Sequence, residues 1–417
     1  MKGALFFIGF RYLLGRAAEG GRYLRGATAG IALSLVPIIV TLIVADGMIR
    51  GIMDRYLELG TGHLQVYNFS NPYALDDAVN DIAELEGIRG VWRERSGLGV
   101  IIGSQGRTGT TIRAVENAFW QDRESVHFLK VIDGSSNIEN DREVILGQAL
   151  AETIGAEVGK TVRIMTLRMT DDGRNIPRIT PFTVRGIISS GYRELDALWG
   201  IMSYEAGRDI LPPRSPSYLI VKVDDPYSNI NMNNKLISIY QVLGTGFSIY
   251  TWQQLLRSQY TSYESTRQLL LLIMALIVLI AAVNVSSATS MLVIERQRDI
   301  AVLKTGGASP SATTRIFLWG SFLTGLIGAV IGISLGLLIG NFINQLIRGL
   351  EAVLGFFSHE EVNILDPSYY LETIPIIIDW NTVFLIGFFT VLCSVVASWI
   401  PARRAGKIKP IEILRKY

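Results

Sequence analysis

Four membrane-spanning helices plus a large external α+β domain is the fold class this sequence predicts, and three observations predict it. Residues 26–45, 268–294, 316–347 and 381–402 contain no Asp, Glu, Lys or Arg. Each stretch reaches the roughly 20 residues a helix needs to cross about 30 Å of hydrocarbon, and four such lengths exceed what the core of a water-soluble protein uses. Basic residues gather in alternate connections, as they do when short loops stay in the cytoplasm. The long connection 46–267 alternates strand-like and helical runs, the pattern of an α+β domain.

Residues 1–25 carry Lys2, Arg11, Arg16, Arg22 and Arg25, and the short apolar run 4–10 is interrupted by Arg11. That is a poor signal peptide and a good cytoplasmic, partly amphipathic lead-in helix lying on the membrane. The first span, 26–45, contains Pro37, which removes one backbone hydrogen bond and predicts a kink. The second span, 268–294, leads into a loop, 295–315, with Arg296, Arg298, Lys304 and Arg315. After the third span, 316–347, the loop 348–380 sets Arg348 against Glu351, Glu360, Glu361, Asp366, Glu372 and Asp379. The fourth span, 381–402, precedes a tail, 403–417, rich in Lys and Arg. Both termini are therefore expected inside, with 46–267 and 348–380 outside. Trp319, Trp380 and Trp399 sit near span ends, where an indole prefers the interface.

Within the external domain, strands are expected at 63–67, 97–102, 110–115, 143–146, 161–165, 182–188 and 218–223, and helices at 147–154 and 229–242, with a further helix from Thr251 into the second span. The lone cysteine, Cys393, falls in the fourth span, so packing rather than disulfides must hold the external domain. A net charge of +2 points to no class of partner, and topology accounts for the basic residues, so nucleic-acid binding has no support.

Catalytic motifs are absent. Gly155, Gly159, Lys160 and Thr161 imitate a phosphate loop, but the spacing is one residue short and the order helix, loop, strand is reversed, which leaves a turn. His63, His127 and His359 lack the spacing of a metal site. There is no G-x-S-x-G nucleophile elbow. The reading is a protein with no catalytic residue, no metal and no nucleotide site of its own.

Two helical features stand out instead. Gly328, Gly332, Gly336 and Gly340 recur every fourth residue along one face of the third span, a stripe that lets another helix approach closely. In the cytoplasmic loop, Ile300, Ala301 and Leu303 give a short helix an apolar face, Arg296, Arg298, Asp299 and Lys304 its polar one, and Gly306 and Gly307 its stop. Such a helix suits docking in a partner's groove or lying at the interface.

That segment also carries a resemblance. Glu295, Arg296, Ile300, Leu303, Gly307 and Ala308 match the E-R-x-x-E-I-x-x-L-x-x-x-G-A pattern of the coupling helix in permeases similar to FtsX and MacB, with Asp299 in place of glutamate. Pro401 to Ala405 and Pro410 to Arg415 resemble the tail of the same superfamily. Residues 4–18, 144–151 with Gly159 and Val162 to Ile164, and 366–375 resemble the lipoprotein-releasing permeases LolC and LolE, so that the similarity spans the chain in order. The resemblance implies a bacterial inner-membrane permease paired with itself or a sister permease and bound to two copies of a separate ATPase subunit, which holds the ATP and magnesium. ATP-driven closure would push the coupling helices through Glu295, Arg296, Asp299, Ile300, Leu303 and Gly307, with Ile300 and Leu303 in the partner's groove. The substrate would be a lipoprotein taken from the membrane lipids between the first two spans and passed to a periplasmic carrier. Acyl chains need such shielding, since each CH₂ exposed to water costs about 0.8 kcal/mol.

The stretch 167–180 mixes the polar turn residues Asp171, Asp172 and Gly173 with apolar Leu167, Met169, Ile176 and Ile179. It reads either as a recognition loop stiffened by Pro177 or as a hairpin folding its apolar residues back on the domain. It resembles the hook with which LolC holds its carrier, which implies carrier binding by Arg174, Ile176, Pro177, Arg178 and Ile179. Two other functions fit the superfamily: an FtsX-like regulator of cell-wall hydrolases, whose external domain is generally smaller than 46–267, and a MacB-like exporter of peptides or drugs, whose ATPase is fused to the permease.

Overall fold

The computed structural model describes residues 21–71, 73–169, 175–358, 371 and 373–411. Most of the expected lead-in helix, the turn 170–174 with Arg174, His359, most of the loop 359–372 and the tail beyond 411 lie outside the described residues. The chain divides into two compact units, a helical one that includes residues up to 47, 263–350 and from 374 onward, and a mixed one that includes 48–262.

The first helix, α1 (Gly21–Arg55), is continuous through Pro37 and passes into a π-helical turn, Tyr56–Thr61. The mixed unit then runs β1 (Leu64–Tyr67), α2 (Ala74–Ala83), β2 (Ile88–Ile102), β3 (Arg107–Val115), α3 (Asn117–Gln121), α4 (Arg123–His127), β4 (Lys130–Gly134), β5 (Glu143–Gly147), α5 (Gln148–Ile154), β6 (Thr161–Met169), β7 (Asn175–Ser189), α6 (Arg193–Asp196), β8 (Trp199–Ser203), α7 (Tyr204–Ile210), β9 (Ser217–Val223), α8 (Asn229–Leu243), β10 (Ser248–Thr251) and α9 (Trp252–Leu255).

Its strands form two lobes that share β2. In one, the pairings close on themselves: β2 with β3, β3 with β8, β8 with β5, β5 with β7, β7 with β6, and β6 back to β2. Ile101, Ile112, Leu146, Ile164, Phe182 and Val184 are buried together inside this ring. In the other lobe the first half of β2 pairs with β9, β9 with β1, and β1 with β10, while α2 and α8 pack on one another. The loop at 155–160 is the turn expected from its glycines: Gly155 and Gly159 take φ of 65° and 79° between α5 and β6.

The helical unit adds α10 (Arg257–Glu295), α11 (Gln297–Thr305), α12 (Pro310–Asn341), α13 (Ile343–Ser358), α14 (Trp380–Ala397) and α15 (Trp399–Lys407). Among the described residues, four helices are long and apolar enough to cross a membrane. Two expected span ends move. The third span stops at Asn341 rather than 347, because Phe342 leaves helical geometry (φ −101°, ψ 13°) and Asn344 then bonds both backbone groups of Ile374, at 2.9 and 3.0 Å. The fourth breaks at Ser398, and α15 starts anew with Pro401 in its first turn, where the missing N–H is harmless. The Ser398 hydroxyl meets Thr289 at 3.2 Å, and Thr289 meets Ser321 at 3.1 Å, so one hydroxyl from each of three helices is satisfied in the apolar interior. At the opposite end Arg267 lies 3.1 Å from Asp46 and 2.7 Å from Asp379, the N-cap of α14, which ties α1, α10 and α14 together.

Candidate functional site

The short helix α11 is held by its own bundle. Ile300 is buried among Leu24, Leu292, Phe317, Ala402 and Ala405, and Ala301 beside it is buried as well. This corrects the expectation that Ile300 enters a partner's groove: its side chain is part of the core. Leu303 is half-buried, and the face left open presents Glu295, Arg298, Val302 and Thr305. Arg296 is bonded to Asp299 at 2.9 Å, which fixes the first turn. Lys304 donates to the carbonyls of Gly406 (2.8 Å) and Ile408 (2.6 Å), capping the end of α15. The Gly307-Ala308 pair of the motif has a backbone cause. Gly307 adopts φ 94°, its N–H reaches the Lys304 carbonyl at 3.1 Å, and the Ala308 N–H reaches Leu303 at 3.1 Å, the two bonds of a Schellman stop.

The glycine stripe of α12 faces α1. A Cβ at Gly328 would sit 2.9 Å from Ile31, at Gly332 2.8 Å from both the Ala32 carbonyl and Leu35, at Gly336 2.7 Å from Ile39, and at Gly340 2.5 Å from Ile43. At Gly328, Gly332 and Gly336 an added Cβ would press on side-chain stems and backbone of α1, and at Gly340 on the tip of Ile43, so the two helices approach closely. Gly325, one helical face away, serves α14 instead, its virtual Cβ 3.0 Å from Ser394.

Where α1 ends, two buried cations from the sheet close it. Lys222 of β9, with its side chain fully buried, donates to the carbonyls of Leu57 (2.7 Å) and Glu58 (2.8 Å) and to the Glu58 carboxylate (2.9 Å). Arg113 of β3 donates to the Leu59 carbonyl and pairs in a fork with Glu94 at 2.7 and 2.8 Å. His63 contacts Glu58 at 3.0 Å through Nε2 and accepts the Val223 N–H through Nδ1 at 2.9 Å. Burial pulls the Lys222 ammonium down to about 8, against the opposing pull of Glu58, and burial also lowers the His63 imidazole despite its Glu58 bond. Sequence reasoning recognised the strand at 218–223 but not this joint; a lysine inside the otherwise apolar Leu219–Val223 run was the available signal.

The stretch 167–180 is a hairpin of β6 and β7, paired from Thr161↔Thr183 to Met169↔Asn175. Strand alternation splits the expected carrier-binding residues between two faces. Arg178 lies on the inner face with Thr166, which bonds the Ile210 carbonyl at 2.8 Å, and Arg178 itself donates to the Asp209 carbonyl (2.6 Å) and carboxylate (3.1 Å). Ile176 shares that side near the tip. Pro177 and Ile179 lie on the outer face opposite Leu167 and Met165, and Leu167 and Ile179 are 49% and 55% exposed. Leu98, two residues from the Val100↔Met165 pair on the same side of β2, is 83% exposed. Together these outer side chains form an apolar stripe on a rigid hairpin.

Four helices long and apolar enough to cross a membrane, a short helix with a Schellman stop and a two-lobed mixed domain make up the architecture of a membrane permease. The MacB-like periplasmic core domain matches residues 26–239 and the FtsX-like permease C-terminal region matches residues 271–410; the chain belongs to this family of permeases, with its mixed domain in the periplasm. Its curated relatives include lipoprotein-releasing system proteins. It is 28% identical over 423 residues to LolC of Neisseria meningitidis, covering 98% of both chains, and 23% identical over 424 residues to LolE of Haemophilus influenzae, covering 99% of both. Among solved structures, the periplasmic region of MacB from Actinobacillus actinomycetemcomitans matches with a TM-score of 0.31 at 17% identity, covering 51% of this chain and 95% of that one.

Proposed function

We propose that this chain is the permease subunit of an inner-membrane ABC transporter that extracts lipoproteins and hands them to a soluble periplasmic carrier, with ATP hydrolysis supplied by a separate subunit. The observation that carries the reading is similarity to lipoprotein-releasing permeases that runs end to end, through both the external domain and the membrane helices. Two structural features support it. The open face of α11 offers a docking surface to an ATPase pair, and the outer stripe of the hairpin offers apolar anchors on a stiff support, the composition of a protein-recognition element. The permease pairs with itself or with a sister subunit, and two ATPase copies drive the pair.

The test places photo-crosslinkers at Leu167 and Ile179 on the outer face and at Arg178 on the inner face, in cells. The expected result is capture of a lipoprotein carrier from the outer positions and not from Arg178, with an ATPase and lipoproteins co-purifying with the solubilised protein. Co-purification of a cell-wall hydrolase without lipoproteins, or capture of no carrier from either face, overturns the proposal.

A further inference from the structure

We propose that the open cleft lined by β2, the inner face of the β6–β7 hairpin and α7 binds a phosphate-bearing small molecule or headgroup. Its volume is about 700 Å³, within the range of small-ligand sites. Five arginines line it from three directions: Arg93 and Arg95 from β2, Arg168 and Arg178 from the hairpin, and Arg208 from α7. The lining carboxylates are Asp76 and Asp209.

Nearby acids compensate three of the five. Arg93 is paired with Asp76 and Glu116, Arg178 with Asp209 and Arg208 with Glu205, and Asp209 is shared further with Arg142. Arg95 and Arg168 have no carboxylate within ion-pair distance among the described residues. Arg95 donates one bond to the Pro212 carbonyl at 2.6 Å, while its Nε is buried without a hydrogen-bond partner. Burial, together with the like charge of Arg208, lowers the Arg95 guanidinium from its ordinary value, as it does for a cation that lacks a counterion.

An uncompensated cation in a cavity ringed by guanidinium forks calls for an anion. Forks converging from three walls suit a tetrahedral oxyanion, whose oxygens can accept from several donors at once, whereas one carboxylate is filled by a single fork. The exposed ring of Tyr73 and the half-buried ring of Tyr204 at the same cleft give the rest of a small ligand an amphipathic wall.

The experiment is titration calorimetry on the full-length protein in detergent at low salt, with pyrophosphate, glycerol phosphate and a short-chain phosphatidylglycerol as probes. Binding of at least one at about 1 mM or tighter is expected. Arg95→Gln and Arg168→Gln should each weaken it about tenfold or more, while Lys130→Gln, on an exposed strand that does not line the cavity, leaves it unchanged. Arg168 is exposed and makes no ion pair among the described residues, so its variant should fold normally. Tighter binding of the lipid assigns a headgroup and tighter binding of the soluble phosphates assigns a free metabolite; either supports the site. No binding of any probe, equal weakening by Lys130→Gln, or preference for an acidic peptide overturns it.

Discussion

Replacing Lys222 by methionine keeps the stem of the side chain and deletes the ammonium that closes α1. Three bonds of 2.7 to 2.9 Å are lost, two of them to the carbonyls of Leu57 and Glu58, of which the latter keeps the Ser125 hydroxyl at 2.8 Å. Breaking a buried ion pair by removing one partner costs about 3–5 kcal/mol. Glu58 keeps His63 and Arg89, so the lower end applies here. The cation over the Trp92 ring, 5.9 Å from its centre, is lost as well, a smaller effect. A local loss of about 3 kcal/mol is a hundredfold rise in the population of the opened state, which amide hydrogen exchange reads directly. The β1 and β9 amides should exchange about 100 times faster in Lys222→Met, while those of β5, in the other lobe, change little. Adding Glu58→Gln removes the partner's charge and should recover part of the loss. Exchange within about threefold of wild type at β1 and β9 would mean that the cation contributes no more than a surface residue, and the account of this joint would be wrong.

The same joint has a pH signature. Lys222 and His63 both bind their protons less tightly in the fold than in the unfolded chain, so stability rises with pH wherever the unfolded chain still holds the proton: for Lys222 between about 8 and its ordinary 10.5, and for His63 as pH climbs toward its ordinary 6.5. Unfolding of the full-length protein followed across pH 5 to 10 should show both rises, and the upper one should vanish in Lys222→Met. At the helix seam, Gly332→Leu should separate α12 from α1 and lower the yield of assembled protein, because a first Cβ already sits 2.8 Å from Leu35, whereas Ile331→Leu, on a half-exposed neighbour, should assemble normally; equal yields refute the seam. On α11, Val302→Asp and Leu303→Asp should weaken ATPase co-purification, with a charge entering a dry contact costing about 2–4 kcal/mol, while Ile300→Asp should reduce folded protein itself. A folded Ile300→Asp protein that simply loses the ATPase would restore Ile300 to the interface.

The parts legible in the sequence are those in which one residue type has one physical meaning. Absence of charge over the length of a bilayer leaves few alternatives to a span, and glycines at every fourth position leave few alternatives to a close helix contact, which is why the stripe from Gly328 to Gly340 could be read before its partner α1 was known. Span ends were harder. Residues 342–347 are as charge-free as those before them, and only the bond from Asn344 to Ile374, a partner distant in sequence, explains why the helix stops. The same limit governs the sites. On α11, Ile300 and Leu303 look equivalent on a helical wheel, but whether an apolar face meets its own bundle or a partner depends on what else the chain brings there, and Phe317 and Ala405 bring a core to Ile300. On the hairpin, reading 167–180 as a loop hides the alternation of strands, so five residues between 174 and 179 appear as one site; once β6 and β7 pair, Arg178 must point away from Pro177 and Ile179. That alternation gives the hairpin two chemically different faces. Among the described residues its outer face carries the uncharged Met165, Leu167, Pro177 and Ile179, while its inner face holds the Arg168 and Arg178 guanidinium groups beside α7, and neither set of residues can change faces without a shift of register.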